Sequence, residues 1–503
     1  MSLYLGLDLG TSWLKATIID EKGEILCRTA KEIQIETPSP GYAEEFPSEW
    51  WNTFCILLKT LSVRADFSQI KAVGLSGQMH GIVCYNAKTE VVTRAIIWAD
   101  KRSTSQVEQI NGLLGRDKIY EITGNPIFTG FMLPSLLWLK ENEPELFGQI
   151  NKVSSPKDYI AYRLTENLFC EPSDALATGC FDYAKNDWSA EIINKFSLNP
   201  DIFPKIIPTD QPYGTIGKTA SEQCGLPAGI PVYGGSDQSM AAMGCGLTEE
   251  GQSLLAISTG GQFLVITKKG LLDPQKRLHT LNHAIRDVSI SMAATLSAGL
   301  SLKWFKQSIM QQMDSSYDAF IQDIEEIPMG CDGLIYMPFL AGERTPYFNP
   351  QLKGAFIGQS LEQNRLHFVR AIMEGVAFSF REGLETFKET GIEPKTIILS
   401  GGGTKNATWR RIITDVLNIP TQMINIEDHS PFGAAVFAKF AMEQKINTPE
   451  GQKELAEFYK KTITISHRLT PNPKNHDLYS EIFKTYKSHA KYLNSLSPPN
   501  SSI

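Results

Sequence analysis

"LYLGLDLGTSWLKATIID", residues 3–20, decides how the chain is read. Leu3, Tyr4, Leu5 and Leu7 form an apolar run that ends on an acid, Asp8, followed by a Gly10-Thr11-Ser12 turn. Leu14, Ala16, Thr17, Ile18 and Ile19 form a second run, and "EILCRTA" (residues 24–30) a third after another glycine turn. Strand, tight turn, strand, turn, strand predicts an antiparallel meander. Gly10 lets a ligand approach the backbone, while Thr11 and Ser12 offer hydroxyls and amides to an oxyanion. A carboxylate beside an anion is useful only with a cation between them, and Mg²⁺ held by one or two carboxylates plus phosphates fits that need. The alternative is an Asp that caps its own turn.

"SLLAISTGGQFLVIT", residues 253–267, repeats the plan half a chain later, with Ser258-Thr259-Gly260 standing against Gly10-Thr11-Ser12. Only the first copy carries the acid. Two such hairpins predict duplicated α/β domains that face each other across a cleft and meet near residues 244–252. At 503 residues the chain exceeds the size at which one core keeps growing.

Composition narrows the function. A net charge of −7 argues against a nucleic-acid binder. The eight cysteines include no C-x-x-C pair and read as reduced thiols of a cytoplasmic protein. No run approaches the roughly 18 apolar residues of a membrane span. "GTIGKT" (214–219) lacks the first glycine of a P-loop, because position 212 is proline.

Four further stretches carry chemistry. In "TIILSGGGTKNATWRRIITDVLNIP" (396–420) a buried strand runs into Gly401-Gly402-Gly403 and then a helix with Trp409, Ile412, Ile413, Val416 and Leu417 on its core face. Bare glycine backbone there suits a flat ligand such as adenosine; the alternative is a flexible loop. In "PVYGGSDQSMAAMGCG" (231–246), Asp237 opens a small-residue helix. It is either an N-cap or an acid approached by substrate, kept ionised by the positive end of the helix dipole. "GLSGQMHG" (74–81) brings Gln78, Met79 and His80 into a glycine-flanked loop, and "AIIWADKR" (95–102) ends a strand with Trp98, Asp100 and Arg102. Gln, His and Asp beside Trp and Met suit a polyol, although a lone His80 is as often structural.

"GLDLGTS", "SGQMHG", "IIWADKR", "SPKDYIAYRLT", "GGSDQ", "GERTP" and "LSGGGTKNATWRRIITDVL" occur in this order. Together they resemble the FGGY carbohydrate kinases of the actin-like ATPase superfamily, from about residue 3 to about residue 485. "GQMHG" and "GERTP" are closest to the branch that acts on xylulose. The resemblance implies two ribonuclease-H-like domains with a cleft between them, over residues 1–246 and 247–488, then a tail over 489–503. It implies ATP and Mg²⁺, a small sugar as partner, no nucleic acid and no membrane, and it allows a homodimer. The expected reaction is phosphorylation of the terminal hydroxyl of a ketopentose, D-xylulose to D-xylulose 5-phosphate. Another ketose or polyol such as ribulose is the alternative, and an actin-like ATPase or a silent sugar sensor lies outside that class. The family's catalytic base matches Asp237, with Asp8 and Asp237 at the metal. Its sugar contacts match Gln78, Met79, His80, Asp100 and Gln238. Its phosphate and nucleotide contacts match Gly10, Thr11, Ser12, Thr259, Gly260, Gly401, Gly402 and Asn406. Ser258, Ser135 and Gln238 depart from the family's usual residues at their positions.

Overall fold

Two separate sheets are built on one plan. The structure, a computed structural model, describes residues 1–314 and 316–497. In the first sheet Leu3–Leu9 pairs antiparallel with Trp13–Asp20, which pairs antiparallel with Ile25–Glu32. The parallel strands Ile70–Gly77 and Pro231–Gly234 extend the other edge. In the second sheet Gln252–Ile257 pairs antiparallel with Gly261–Lys268, which pairs with Val288–Thr295. There Thr396–Ser400 and Thr421–Ile424 are the parallel additions. Strand order and direction match through these five strands, as the repeated hairpins predict.

Period-2 alternation sorts the first strand. Leu5, Leu7 and Leu9 are almost wholly buried and join Trp50, Phe54 and Leu58 in one core cluster. Tyr4, Gly6 and Asp8 take the opposite face. Helix His429–Met442, from the second half of the chain, lies on that face so closely that a Cβ on Gly6 would come within 1.8 Å of the Pro431 carbonyl oxygen. The same helix packs against helix Asp237–Gly244, where a Cβ on Gly244 would meet the His429 carbonyl at 1.9 Å. The halves therefore join backbone to backbone. Lys15 reaches Asp428 across the same seam at 2.7 Å.

The expected tail differs from what is seen. Helix Pro473–Leu496 runs through residue 489, because Tyr479, Phe483, Tyr486 and Ala490 keep burying one face of it. Phe378 of helix Arg365–Glu389 packs against the rings of Tyr479, Phe483 and Tyr486. Residues 498–503 of that expected tail lie outside the described residues. The cysteines are all free, and seven of the eight are buried. No helix among the described residues is long and apolar enough to cross a membrane.

Candidate active site

Asp8 sits opposite Lys15 on one neighbouring strand and Ser76 on the other. Its Oδ1 accepts a hydrogen bond from Ser76 Oγ at 2.8 Å. Burial still pushes the carboxyl above its ordinary range, against the pull of Ser76 and Lys15. One turn on, the half-buried Thr11 hydroxyl accepts from Trp98 Nε1 (2.8 Å) and donates to Gln78 Oε1 (3.3 Å). Gln78 Nε2 in turn donates to the buried Glu45 carboxylate. The phosphate hairpin and two of the proposed sugar-side loops thus share one chain of hydrogen bonds. Ser12 is exposed at the tip.

Asp237 is the first residue of its helix, half-buried, and its Oδ1 accepts the Gln238 N–H at 2.6 Å. The dipole does not keep this acid readily ionised, contrary to expectation. Burial, then the charges of Asp8 and Asp174, push its pKa well above the ordinary carboxylate value, and the single N–H opposes them. No group of three or more His, Cys, Asp or Glu among the described residues forms a complete metal cage, but two carboxylates, one acting on the other, suit a Mg²⁺ that takes its remaining ligands from water and phosphate. Gln238 points away from the expected sugar role: its Nε2 donates to Gln262 Oε1 on the second hairpin, at 3.2 Å. It bridges the two halves.

The sugar-side residues divide. His80 adopts a left-handed backbone with φ 76°, uncommon for a residue other than glycine. Its ring stacks on Phe131 at 4.0 Å, and Nδ1 bonds the Ala177 carbonyl at 2.7 Å, so Nδ1 carries the proton. Burial lowers its pKa to about 4; the Ala177 carbonyl opposes that and Arg344 adds to it. The result is a neutral imidazole whose Nε2 is an acceptor. Met79, by contrast, is 4% exposed and packs into the cluster that holds Tyr233 and Met240. Asp100 is fully buried: Arg102 and the Ala43 amide take both of its oxygens at 2.7–3.0 Å. Its carboxylate holds the Arg102 loop and is not free for a sugar. Sequence reasoning attached no role to Arg344 of "GERTP". Its guanidinium lies 4.8 Å from the centre of the Phe128 ring, and its charge lowers the pKa of both His80 and His279.

On the facing half, Thr259 is exposed at the second turn, and its carbonyl is fixed by the Ala298 and Leu300 amides. Gly260 abuts the Thr295 carbonyl, where a Cβ would approach to 2.8 Å. The strand Thr396–Ser400 opens into Gly401, and Gly402 is exposed with no atom within 4 Å of where its Cβ would stand. That leaves open backbone for a flat ligand. Asn406 is a cap: its side chain accepts the Trp409 N–H at 2.8 Å at the start of helix Ala407–Leu417.

This arrangement of paired hairpins, with an acid at the end of one and at the head of a helix between them, has relatives. Residues 3–244 match the N-terminal domain of the FGGY family of carbohydrate kinases, and residues 255–442 match its C-terminal domain. The chain belongs to that family. The xylulose kinase of Bacillus subtilis is 34% identical over 500 residues, covering 98% of each chain. A solved structure described as a xyloylose kinase from Brucella ovis superposes with a TM-score of 0.90 at 28% identity, over 98% of this chain and 100% of that one. The xylulose kinase from Rhodospirillum rubrum gives 0.89 at 26%, over 98% and 99%. This carbohydrate kinase therefore takes ATP and a sugar as its partners.

A buried polar cluster went unassigned in the sequence. Lys157 of "SPKDY" contacts Asp158 (2.5 Å), Asp174 (3.2 Å) and Glu171 (3.8 Å) with every side chain fully buried. The motif was visible; that its lysine gathers acids from a later turn was not.

Proposed function

We propose that the chain transfers the γ-phosphoryl group of ATP to the terminal hydroxyl of D-xylulose, giving D-xylulose 5-phosphate. The observation that carries the chemistry is the pair of matching hairpins, one ending on Asp8, with Asp237 at the head of the helix between them in the chain. Full-length similarity to xylulose kinases supports the substrate. Phosphoryl transfer runs through a loose transition state, so catalysis is positioning and charge neutralisation.

Asp237 accepts a hydrogen bond from the terminal hydroxyl, aims it at the phosphorus and takes the proton late. His80 Nε2 accepts from one of the remaining hydroxyls, while buried Gln78, held by Thr11 and Glu45, is a positioning residue. Thr11 and Ser12 on one wall, and Thr259 and Gly260 on the other, hold the phosphates, while Gly401 and Gly402 face adenosine. Asp8 and Asp237 would hold Mg²⁺, which when bound would supply positive charge to offset the charge that develops on the phosphates. The two halves divide in the turn between Gly244 and Gln252. Met79, Asp100, Gln238 and Asn406 are positioning residues in this reading, each committed to a partner within the protein.

ADP release coupled to a spectrophotometric readout tests it, with D-xylulose, D-ribulose, gluconate and glycerol as acceptors. D-xylulose should give the largest kcat/KM. ADP release that ignores every sugar, or a clear preference for another acceptor, overturns the assignment.

A further inference from the structure

The helix that carries Asp237 starts without its usual cap. Ser236 occupies the cap position, yet its hydroxyl makes no cap hydrogen bond and is buried without a partner among the described residues. The Ser236 backbone N–H instead donates to Ser173 Oγ at 2.8 Å, from a segment more than sixty residues earlier. Ser173 is itself fixed. Its hydroxyl donates to Glu171 Oε1 at 2.8 Å, and its own amide donates to Glu171 Oε2 at 2.8 Å. Glu171 also takes the Asp174 amide at 3.0 Å. Behind it stands Lys157, which reaches Tyr213 at 2.6 Å as well as its three acids. Ser155 donates to Asp174 at 3.0 Å.

We propose that Ser173, braced by Glu171 and Lys157, is a positioning residue that sets where Asp237 stands in the cleft. This rests on the reading of Asp237 as the base. A buried ionic network is a poor source of net stability, since desolvation offsets most of the Coulomb gain, but it is rigid and geometrically specific. Here the Ser173 hydroxyl, which donates into the network, accepts the N–H of Ser236, the residue immediately before Asp237. A carboxylate that must meet a hydroxyl in line with a phosphorus tolerates little displacement; about 1 Å costs on the order of 10²-fold in rate.

The test compares Ser173→Ala and Ser173→Thr with Asp237→Asn and with Ser253→Ala. Ser253 is a buried control whose hydroxyl donates to the Thr396 carbonyl at 2.9 Å, in the other sheet. In Ser173→Ala, kcat should fall roughly tenfold or more with KM for sugar and ATP within about twofold, and Ser173→Thr, which keeps the hydroxyl, should recover most of it. Ser253→Ala should keep kcat at comparable loss of melting temperature. Unchanged kcat in Ser173→Ala overturns the inference. So does a parallel fall of kcat and Tm in Ser173→Ala and the control. Normal turnover in Asp237→Asn overturns the base assignment instead.

Discussion

Replacing Asp237 by Asn should lower activity and raise stability together, and the structure supplies both signs. The side chain has one hydrogen bond to a protein donor, from the Gln238 amide at 2.6 Å, and an Asn carbamoyl oxygen can accept it unchanged. The ionised form gains nothing else: burial disfavours it, and Asp8 and Asp174 repel it. A neutral isostere removes that repulsion while keeping the contact. The unfolded chain binds fewer protons at this site than the folded one above the ordinary carboxylate pKa. The wild-type acid therefore weakens the fold as pH rises through that window, and Asn does not. Active-site substitutions of this kind gain on the order of 0.5–2 kcal/mol.

Turnover should move the other way. An amide neither accepts the sugar's proton nor carries the charge that orients its hydroxyl, and positioned acid–base groups contribute roughly 10²–10⁴-fold. ATP affinity should hold, because the phosphate hairpins are untouched. Coupled ADP release at saturating sugar, nucleotide titration and thermal melts at pH 7.5 measure all three. Turnover near the wild-type rate, or a lower melting temperature with turnover retained, would show that Asp237 serves only to start its helix.

Asp8→Asn should raise the Mg²⁺ concentration needed for half-maximal activity with little change in sugar KM, as a magnesium titration at fixed sugar would reveal. His80→Ala should raise sugar KM by an amount typical of a lost buried hydrogen bond, about 1–3 kcal/mol, with ATP KM unmoved. Because the His80 ring is held neutral down to about pH 4, wild-type sugar KM should carry no histidine inflection between pH 5.5 and 8; a step near pH 6.5 would contradict the buried imidazole. Asp100→Ala should act on the fold, since Arg102 keeps only 5% side-chain exposure and loses one of its two acid partners. A loss of roughly 3–5 kcal/mol in chemical denaturation is expected, with normal sugar KM in whatever enzyme remains folded.

The sheets were legible wherever the signal is local. Alternating leucines before Asp8, a glycine turn and a second β-branched run specify a hairpin within twenty residues, and the second hairpin repeats it. What joins each hairpin to its parallel neighbours was not legible, because Ile70–Gly77 and Thr396–Ser400 arrive from distant segments. The same division runs through the site. Asp8 and Asp237 stand at strand and helix ends, where motif spacing places them. Asp100 was misread because its commitment depends on Arg102 and Ala43 folding onto it. Met79 is a loop residue as expected, but that it is buried in the cluster with Tyr233 and Met240 was not legible. The electrostatics of Asp237 could not be had from the helix alone: its largest specific charges come from the first strand and from the turn at Asp174.

Those electrostatics and the glycine seam bear on each other. Asp8 lies two residues beyond Gly6 on the face covered by helix His429–Met442, and Asp237 heads the helix that packs against it. Backbone contact at the seam leaves no layer of side chains to shear, since rigid close-packed surfaces move as units. Both acids therefore stand on elements fixed by backbone contact, whereas Ser12 and Thr259 are exposed at hairpin turns. The Ser236 N–H, one residue before Asp237, adds a further fixed point through Ser173 Oγ at 2.8 Å.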